Sequence, residues 1–479
     1  MLEQQKTFGE ALAEWMRASG VSTKRLAERT GYKSKTSIVR ILREESVHAG
    51  RERLLVQLRK QDLLDPAAYA SLAQALEISR VGPTRARGRM CLRRLLVGRR
   101  ASELSPSLTQ ALEPLRQARS ARILLLNGCR VELTEELRQI LRQRPAHIME
   151  HYVSVDFSSE RAMEALCAIL AIACVPAYAC AIREMRPNGR EELLGQDMLC
   201  FTAQDRDGVS TDTLVLFPGG DDSARVHTQP SSLGLFDFLR RILVEGDFQP
   251  AVGAYATQEG PESIVEAMRF CTELERGCNA CTVKPDVCIN EVPGAILYAA
   301  LRDGGVLHHF SGWTERQMRA QLQEFFYYHD QRFRSAFESG RMRGRIMSPR
   351  SLRRFVLTGR FDSPFSAIRS FTVAERVAIL ENFARRMQHG GGCPLCFWND
   401  ADDLTMEIHC FENVGIIAFP AREAGGLNVN FQTSILRHPR MAALFQECFD
   451  DDLMRNCAVS PSESLLYLRS LLDELRAAP

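Results

Sequence analysis

Several protein classes are excluded by what this 479-residue sequence does not contain. The opening MLEQQKTFGE has no apolar run of the kind a secretory signal needs. Glycine (31) and proline (20) stand at ordinary levels, which argues against collagen-like or low-complexity character. There is no Gly-Lys dipeptide and hence no Walker A phosphate loop. There is also no H-E-x-x-H, no His followed two residues later by Lys, and no G-x-S-x-G nucleophile elbow. His389-Gly390-Gly391-Gly392 therefore reads as a helix stop, and Asp400, Asp402 and Asp403 as a polar turn without the glycine and distal glutamate of a calcium loop. No catalytic residue, cofactor or metal ligand is expected.

What is present is an ordinary globular composition, 45% hydrophobic and 25% charged, long enough for two to four domains. The net charge of +2 conceals an uneven distribution. Residues 1–100 hold 21 Lys/Arg against 10 Asp/Glu, leaving 40 against 49 for the remainder. A basic head on an acidic body suggests a polyanion-binding module joined to something else. Fifteen cysteines are scattered through the chain, many inside apolar stretches such as Cys167, Cys174, Cys180 and Cys200, where the thiol acts as a small hydrophobe. A reducing cytoplasm is expected. Ala165 to Ile182 is free of charge for 18 residues, but Pro176 interrupts it and Glu164 and Arg183 close it. A buried helix running into a buried strand is expected there, and no membrane partner.

The head is punctuated as short helices. Thr7 and Glu10 form a capping box; Phe8, Leu12 and Met16 follow at helical spacing until Gly20. Ser22 caps a second helix, with Val21 and Leu26 as a hydrophobic staple and Gly31 as its stop. A third begins near Ser34, its apolar stripe formed by Ile38, Ile41 and Leu42 and its open face by Lys35, Thr36, Val39, Arg40 and Arg43.

Two short helices joined by a glycine turn, the second with a basic face, are the parts of a helix-turn-helix. The run from Ser22 to Leu42, with Leu26 and Ala27 in the first helix, Gly31 in the turn and Ile38 three residues before Ile41, resembles the Cro/lambda-repressor-like (XRE family) DNA-binding domain. Helices at 51–64 and 66–78 would complete that family's five-helix bundle, so the resemblance covers residues 5–80. One departure stands out: Ser37 occupies the place of the family's first apolar recognition-helix residue and Ile38 follows, making the turn one residue longer across Tyr32 to Lys35. The resemblance implies double-stranded DNA as partner and a homodimer on a two-fold site. Lys35, Thr36 and Arg40 are expected at base edges or in the groove, with Arg43 on the same face, and Lys24, Arg25, Lys33 and Ser34 at phosphates. The competing reading is a helical bundle whose basic face binds an acidic protein.

Arg85, Arg87, Arg89, Arg93 and Arg94 lie in an arginine-rich stretch without acids. It reads either as an arm following phosphates or as a solvated linker.

The expected architecture is multidomain. An all-α helix-turn-helix bundle spans 1–80 and an Arg-rich linker 81–118. A mixed α/β region follows over 119–250, a mainly helical region over 251–390, and a small antiparallel sheet plus two helices over 391–479. No repeat of fixed period is visible. The aromatics Phe325, Phe326, Tyr327, Tyr328 and Phe333 read as packed core or dimer surface. Cys278-x-x-Cys281 and Cys393-x-x-Cys396 could supply four zinc ligands, but 111 residues separate the pairs, unlike a compact ribbon. The function expected is a transcriptional regulator whose body dimerises or senses an unknown effector. An enzyme carrying a DNA-binding head, and an interaction protein, remain as alternatives.

Overall fold

A computed structural model describes residues 7–477 apart from 33, 44–47, 62, 82, 99–103, 129–130, 158, 160, 173–174, 176, 186–196, 218–224, 255–264, 266–267, 270, 275–276, 286, 288–291, 305–313, 339–341, 361–367, 390–394, 400–403 and 421–433. The chain divides into two units, Met1–Leu92 with Ser158–Glu164, and Arg93–Phe157 with Ala165–Pro479.

The first unit is built from helices whose ends follow the capping chemistry. In α1 (Phe8–Ala18), Thr7 Oγ1 accepts from the Glu10 amide at 3.3 Å and the Thr7 amide donates to Glu10 Oε2 at 2.8 Å. The reciprocal pair satisfies two orphan donors. In α2 (Thr23–Thr30), Ser22 Oγ accepts from the Arg25 amide, and Gly31 ends the helix at φ +73°. Ser34 precedes α3 (Lys35–Leu42) in extended conformation without a side-chain cap bond. Next come α4 (His48–Lys60) and α5 (Pro66–Val81). Phe8, Leu12, Leu26, Ile38, Ile41, Leu54, Leu58 and Leu72 from all five helices share one apolar core.

The stretch expected as a linker is helical. It forms α6 (Pro83–Leu96) and α7 (Pro106–Gln117), each with proline at its start, where the missing amide costs no hydrogen bond.

In the second unit β1 (Ser120–Leu126), α8 (Val131–Gln143), β2 (His147–Val155), α9 (Ala162–Ile172) and β3 (Tyr178–Glu184) give three neighbouring parallel strands. The uncharged segment is thus a helix of 11 residues followed by a strand, as its pattern predicts. No helix among the described residues is long and apolar enough to cross a membrane. β4 (Asp197–Gln204), β5 (Ser210–Phe217) and β6 (Arg225–Pro230) extend the sheet antiparallel from β1. Helix α10 (Leu235–Val244) packs Phe236, Leu239 and Leu243 against one face.

One regional expectation is corrected, that of a separate C-terminal sheet. The region over 251–390 is mainly helical among the described residues, as expected, and adds β8 (Ala280–Lys284) and β9 (Met342–Met347) and most of β7 (Gln249–Ala254). These lie among α11 (Gly294–Asp303), α12 (Glu315–Glu338), α13 (Pro349–Thr358) and α14 (Val373–His389). The C-terminal strands β10 (Leu395–Phe397), β11 (Met406–Phe411), β12 (Gly415–Pro420) and β13 (Ser434–Leu436) form no separate small sheet. They complete a sheet of 13 described strands ordered β10-β9-β8-β11-β12-β13-β7-β3-β2-β1-β4-β5-β6. Residues 434–436 are a strand; His438 and Pro439 start α15 (Pro439–Cys448), which continues as a π-helix (Phe449–Cys457) before α16 (Pro461–Ala477).

The strand order repeats one arrangement that no residue period reveals. β1 has parallel β2 and β3 on one side and, on the other, β4 antiparallel to it and β5 antiparallel to β4; β8 has parallel β9 and β10 on one side and, on the other, β11 antiparallel to it and β12 antiparallel to β11. β1 and β8 are therefore equivalent switch points, where the sheet changes direction and where open α/β sheets leave a crevice beyond the strand ends.

Candidate functional site

The α2–α3 segment separates its side chains cleanly. Leu26, Ala27, Ile38 and Ile41 are buried, while Lys24, Arg25, Ser34, Lys35, Thr36, Arg40 and Arg43 are all exposed. Lys33 lies outside the described residues. The exposed residues at the start of α3 are two donors or cations, Lys35 and Thr36, with Arg40 a further turn along. Such a surface can meet phosphate oxygens and base edges.

The arginine arm is corrected in part. Arg89 is 6% exposed, and Arg93 is held by Asp452, donating through Nε to Oδ2 at 2.8 Å and through Nη2 to Oδ1. Asp452, itself fully buried in the π-helix, also accepts from Asn456 Nδ2 at 2.8 Å. Two of the five arginines thus serve the interior. Arg94 is exposed, and the side chains of Arg85 and Arg87 lie outside the described residues.

The cysteine pairs are also separated. Cys281 lies on β8 and pairs across the ladder with Cys410. Cys396 lies on β10, two strands away and two residues along, about 12 Å by strand spacing and rise, too far to share one ion with Cys281. Cys393 lies outside the described residues, and among those described no group of three or more ligands could hold a metal.

A buried charged cluster at the end of β8 is the feature that motif searching missed. Pairing places Arg345 of β9, Thr282 of β8 and His409 of β11 in one row across three strands. Lys284 and Glu407 stand two residues further along on the same face. Lys284 is fully buried, its Nζ 3.8 Å from Glu407 Oε1. His409 Nε2 lies 2.6 Å from the same oxygen. His329 and Arg332 of α12 are buried as well, and the charges of Lys284 and Arg332 both reach His409. Burial lowers the pKa of His409, outweighing the hydrogen bond to Glu407, which raises it. The ring is therefore neutral near pH 7, with its hydrogen on Nε2 facing the carboxylate and Nδ1 as an acceptor. Such a group can accept a proton, and Lys284 can hold negative charge beside it. One signal in the sequence could have found this site: the chain has six lysines, and Lys284 is the only one after Lys60. Arginine carries every other Lys/Arg cation of the body, so an ammonium at the end of β8 marks a position that asks for a compact cation.

At the matching level of the first half the chemistry is different. His151 of β2 is buried, with Nδ1 2.8 Å from Tyr178 Oη and Nε2 2.9 Å from the Asn127 carbonyl. Burial pushes its pKa down to about 4. Asn127, at φ +58°, follows β1 directly and accepts from the Ser154 amide at 2.8 Å.

Comparison with known protein families and with curated proteins returns no match. Among solved structures, the chain is similar to polyphosphate kinase from Porphyromonas gingivalis at 11% identity and a TM-score of 0.20. The likeness covers 78% of this chain and 54% of that one, so the chain spans about half that protein's length. A likeness of this strength carries no functional argument.

Proposed function

We propose that the chain is a sequence-specific DNA-binding transcriptional regulator that acts as a homodimer, with α3 reading the major groove and the acidic body serving dimerisation or effector sensing. The observation that carries this reading is the exposure of Lys24, Arg25, Ser34, Lys35, Thr36, Arg40 and Arg43 on a segment whose Leu26, Ala27, Ile38 and Ile41 are buried in an apolar core shared by five helices. Selection from a randomised duplex library tests it. Lys35→Ala and Arg40→Ala should each lose about ten-fold or more in affinity for the selected site, the scale of one base-edge contact. If both variants select the same sites with unchanged affinity, α3 is not the reading element. Binding without sequence preference that disappears with added salt would mean phosphate attachment alone.

A second reading, an enzyme carrying a DNA-binding head, draws on the Lys284–Glu407–His409 cluster. It expects time-dependent consumption of some component of a pooled small-molecule mixture, lost in Lys284→Met. Equal consumption by the wild type and the variant would remove the cluster from any chemistry.

A further inference from the structure

Lys284 is the last residue of β8, the strand at which the second half of the sheet changes direction. Open α/β sheets bind ligands just beyond the carboxyl ends of their strands at such a point. Three further observations fall on this one place. The only lysine after Lys60 stands there fully buried, and an ammonium carries three donors, so it can serve another acceptor besides Glu407. Thr282, two residues earlier on the same face, is 1% exposed, and its Oγ1 makes no hydrogen bond among the described residues. It stands opposite His409 in one ladder and Arg345 in the other. Buried hydroxyls are nearly always bonded, because an orphaned one forfeits its hydration without replacement. Finally, cations reach this place from three elements: Lys284 on β8, Arg345 on β9 and Arg332 on α12 are all buried. Glu407, which lies against both Lys284 and His409, has a side chain 25% exposed, so the cluster meets solvent on that side.

A hydroxyl, an ammonium and guanidinium groups gathered in a poorly hydrated place suit a ligand with several acceptor oxygens and more than one negative charge, since each such contact is stronger there than in water. We propose that the carboxyl end of β8 binds a doubly charged oxyanion, the phosphate or sulfate group of a small molecule, between the Lys284 ammonium and the Thr282 hydroxyl, with Arg345 and Arg332 adding positive charge. The proposal rests on the enzymatic reading for its choice of cluster and gives that cluster a substrate class. Its test measures binding and not turnover, so a chain that holds the anion and converts nothing removes the enzymatic reading without touching this one.

The probes are inorganic phosphate and sulfate, each at about 10 mM with the full chain, against chloride of equal ionic strength. Ligand that binds only the folded state raises the unfolding midpoint, here by a few degrees in the wild type. Both anions also stabilise proteins without a specific site and can meet the basic head. Every variant shares those effects, so the readout is the difference between wild type and variant. Lys284→Met should lose the rise. Thr282→Val, which exchanges the hydroxyl for a methyl at nearly constant volume, should cut it by about half or more. If Lys284→Met does not unfold cooperatively, Thr282→Val decides. A rise with one anion alone names the group, and equal rises make the two interchangeable; either result upholds the proposal. No rise over chloride in the wild type, or the same rise in the wild type and Thr282→Val, overturns it.

Discussion

His151 couples its surroundings to pH in a defined direction. Its folded-state pKa is about 4, lowered by burial, whereas an unfolded histidine titrates near 6.5. The unfolded chain therefore binds this proton first. The stability contributed by the neutral ring is present above pH 6.5, falls as pH drops, and is gone below about 4. A gap of this size corresponds to about 3 kcal/mol. His147 and His409, also lowered chiefly by burial, add in the same direction. His151→Phe should lower stability at pH 7, through loss of the bonds to Tyr178 and Asn127, and narrow the difference in urea midpoint between pH 7 and pH 4.5. An unchanged difference would mean that His151 does not titrate in this window. This histidine could not be assigned from sequence, because an alternating strand such as HIMEHYVSV says which residues share a face but not which face is covered.

Helix ends were the most legible feature at the level of elements, since capping depends on residues within four positions of one another. Thr7 with Glu10, Ser22 and Gly31 all mark the ends of helices that form. Gly31 allows a sharp test. It adopts φ +73° with no atom within 4 Å of where a Cβ would stand, so substitution there costs backbone strain and nothing else. Gly31→Val should destabilise the first unit by about 1–2 kcal/mol and Gly31→Asn by much less. Hydrogen exchange across residues 8–58 would measure both, and equal protection in the two variants would contradict the left-handed turn. Charge runs were less legible than caps. The arginines of α6 look alike in sequence, yet Arg93 is committed to Asp452 of the π-helix, an acid 359 residues away that no local pattern could have supplied. The strand at 434–436 is hard to read from sequence for a related reason. Its apolar residues fit a helix stripe equally well, and only pairing with β12 and β7 decides between the two.

For the molecule as a whole, the sequence reads a head over 1–80 and a linker over 81–118, whereas the chain divides at Leu92 with Ser158–Glu164 joined to the first unit, and the body, which reads as three regions, folds around one sheet. Strand pairings such as β8 with β11 and β7 with β13 join residues more than 100 positions apart, and periodicity carries no information at that distance. The proposed two-fold arrangement on DNA requires a particle of twice 53.9 kDa. Sedimentation equilibrium at micromolar concentration should give that mass, and a single species of 53.9 kDa with or without operator would exclude the dimeric form. The position of β7 carries a separate consequence for how the chain is made. β7 pairs with β3 on one side and with β13 on the other, and β13 begins at Ser434, about 180 residues after β7 ends at Ala254. At about 5–20 residues per second, a ribosome needs roughly 10 to 40 s to deliver that partner. Throughout that interval the first half-sheet can be complete while one strand edge waits bare, which is when a nascent chain is most exposed to pairing with its neighbours on the same message.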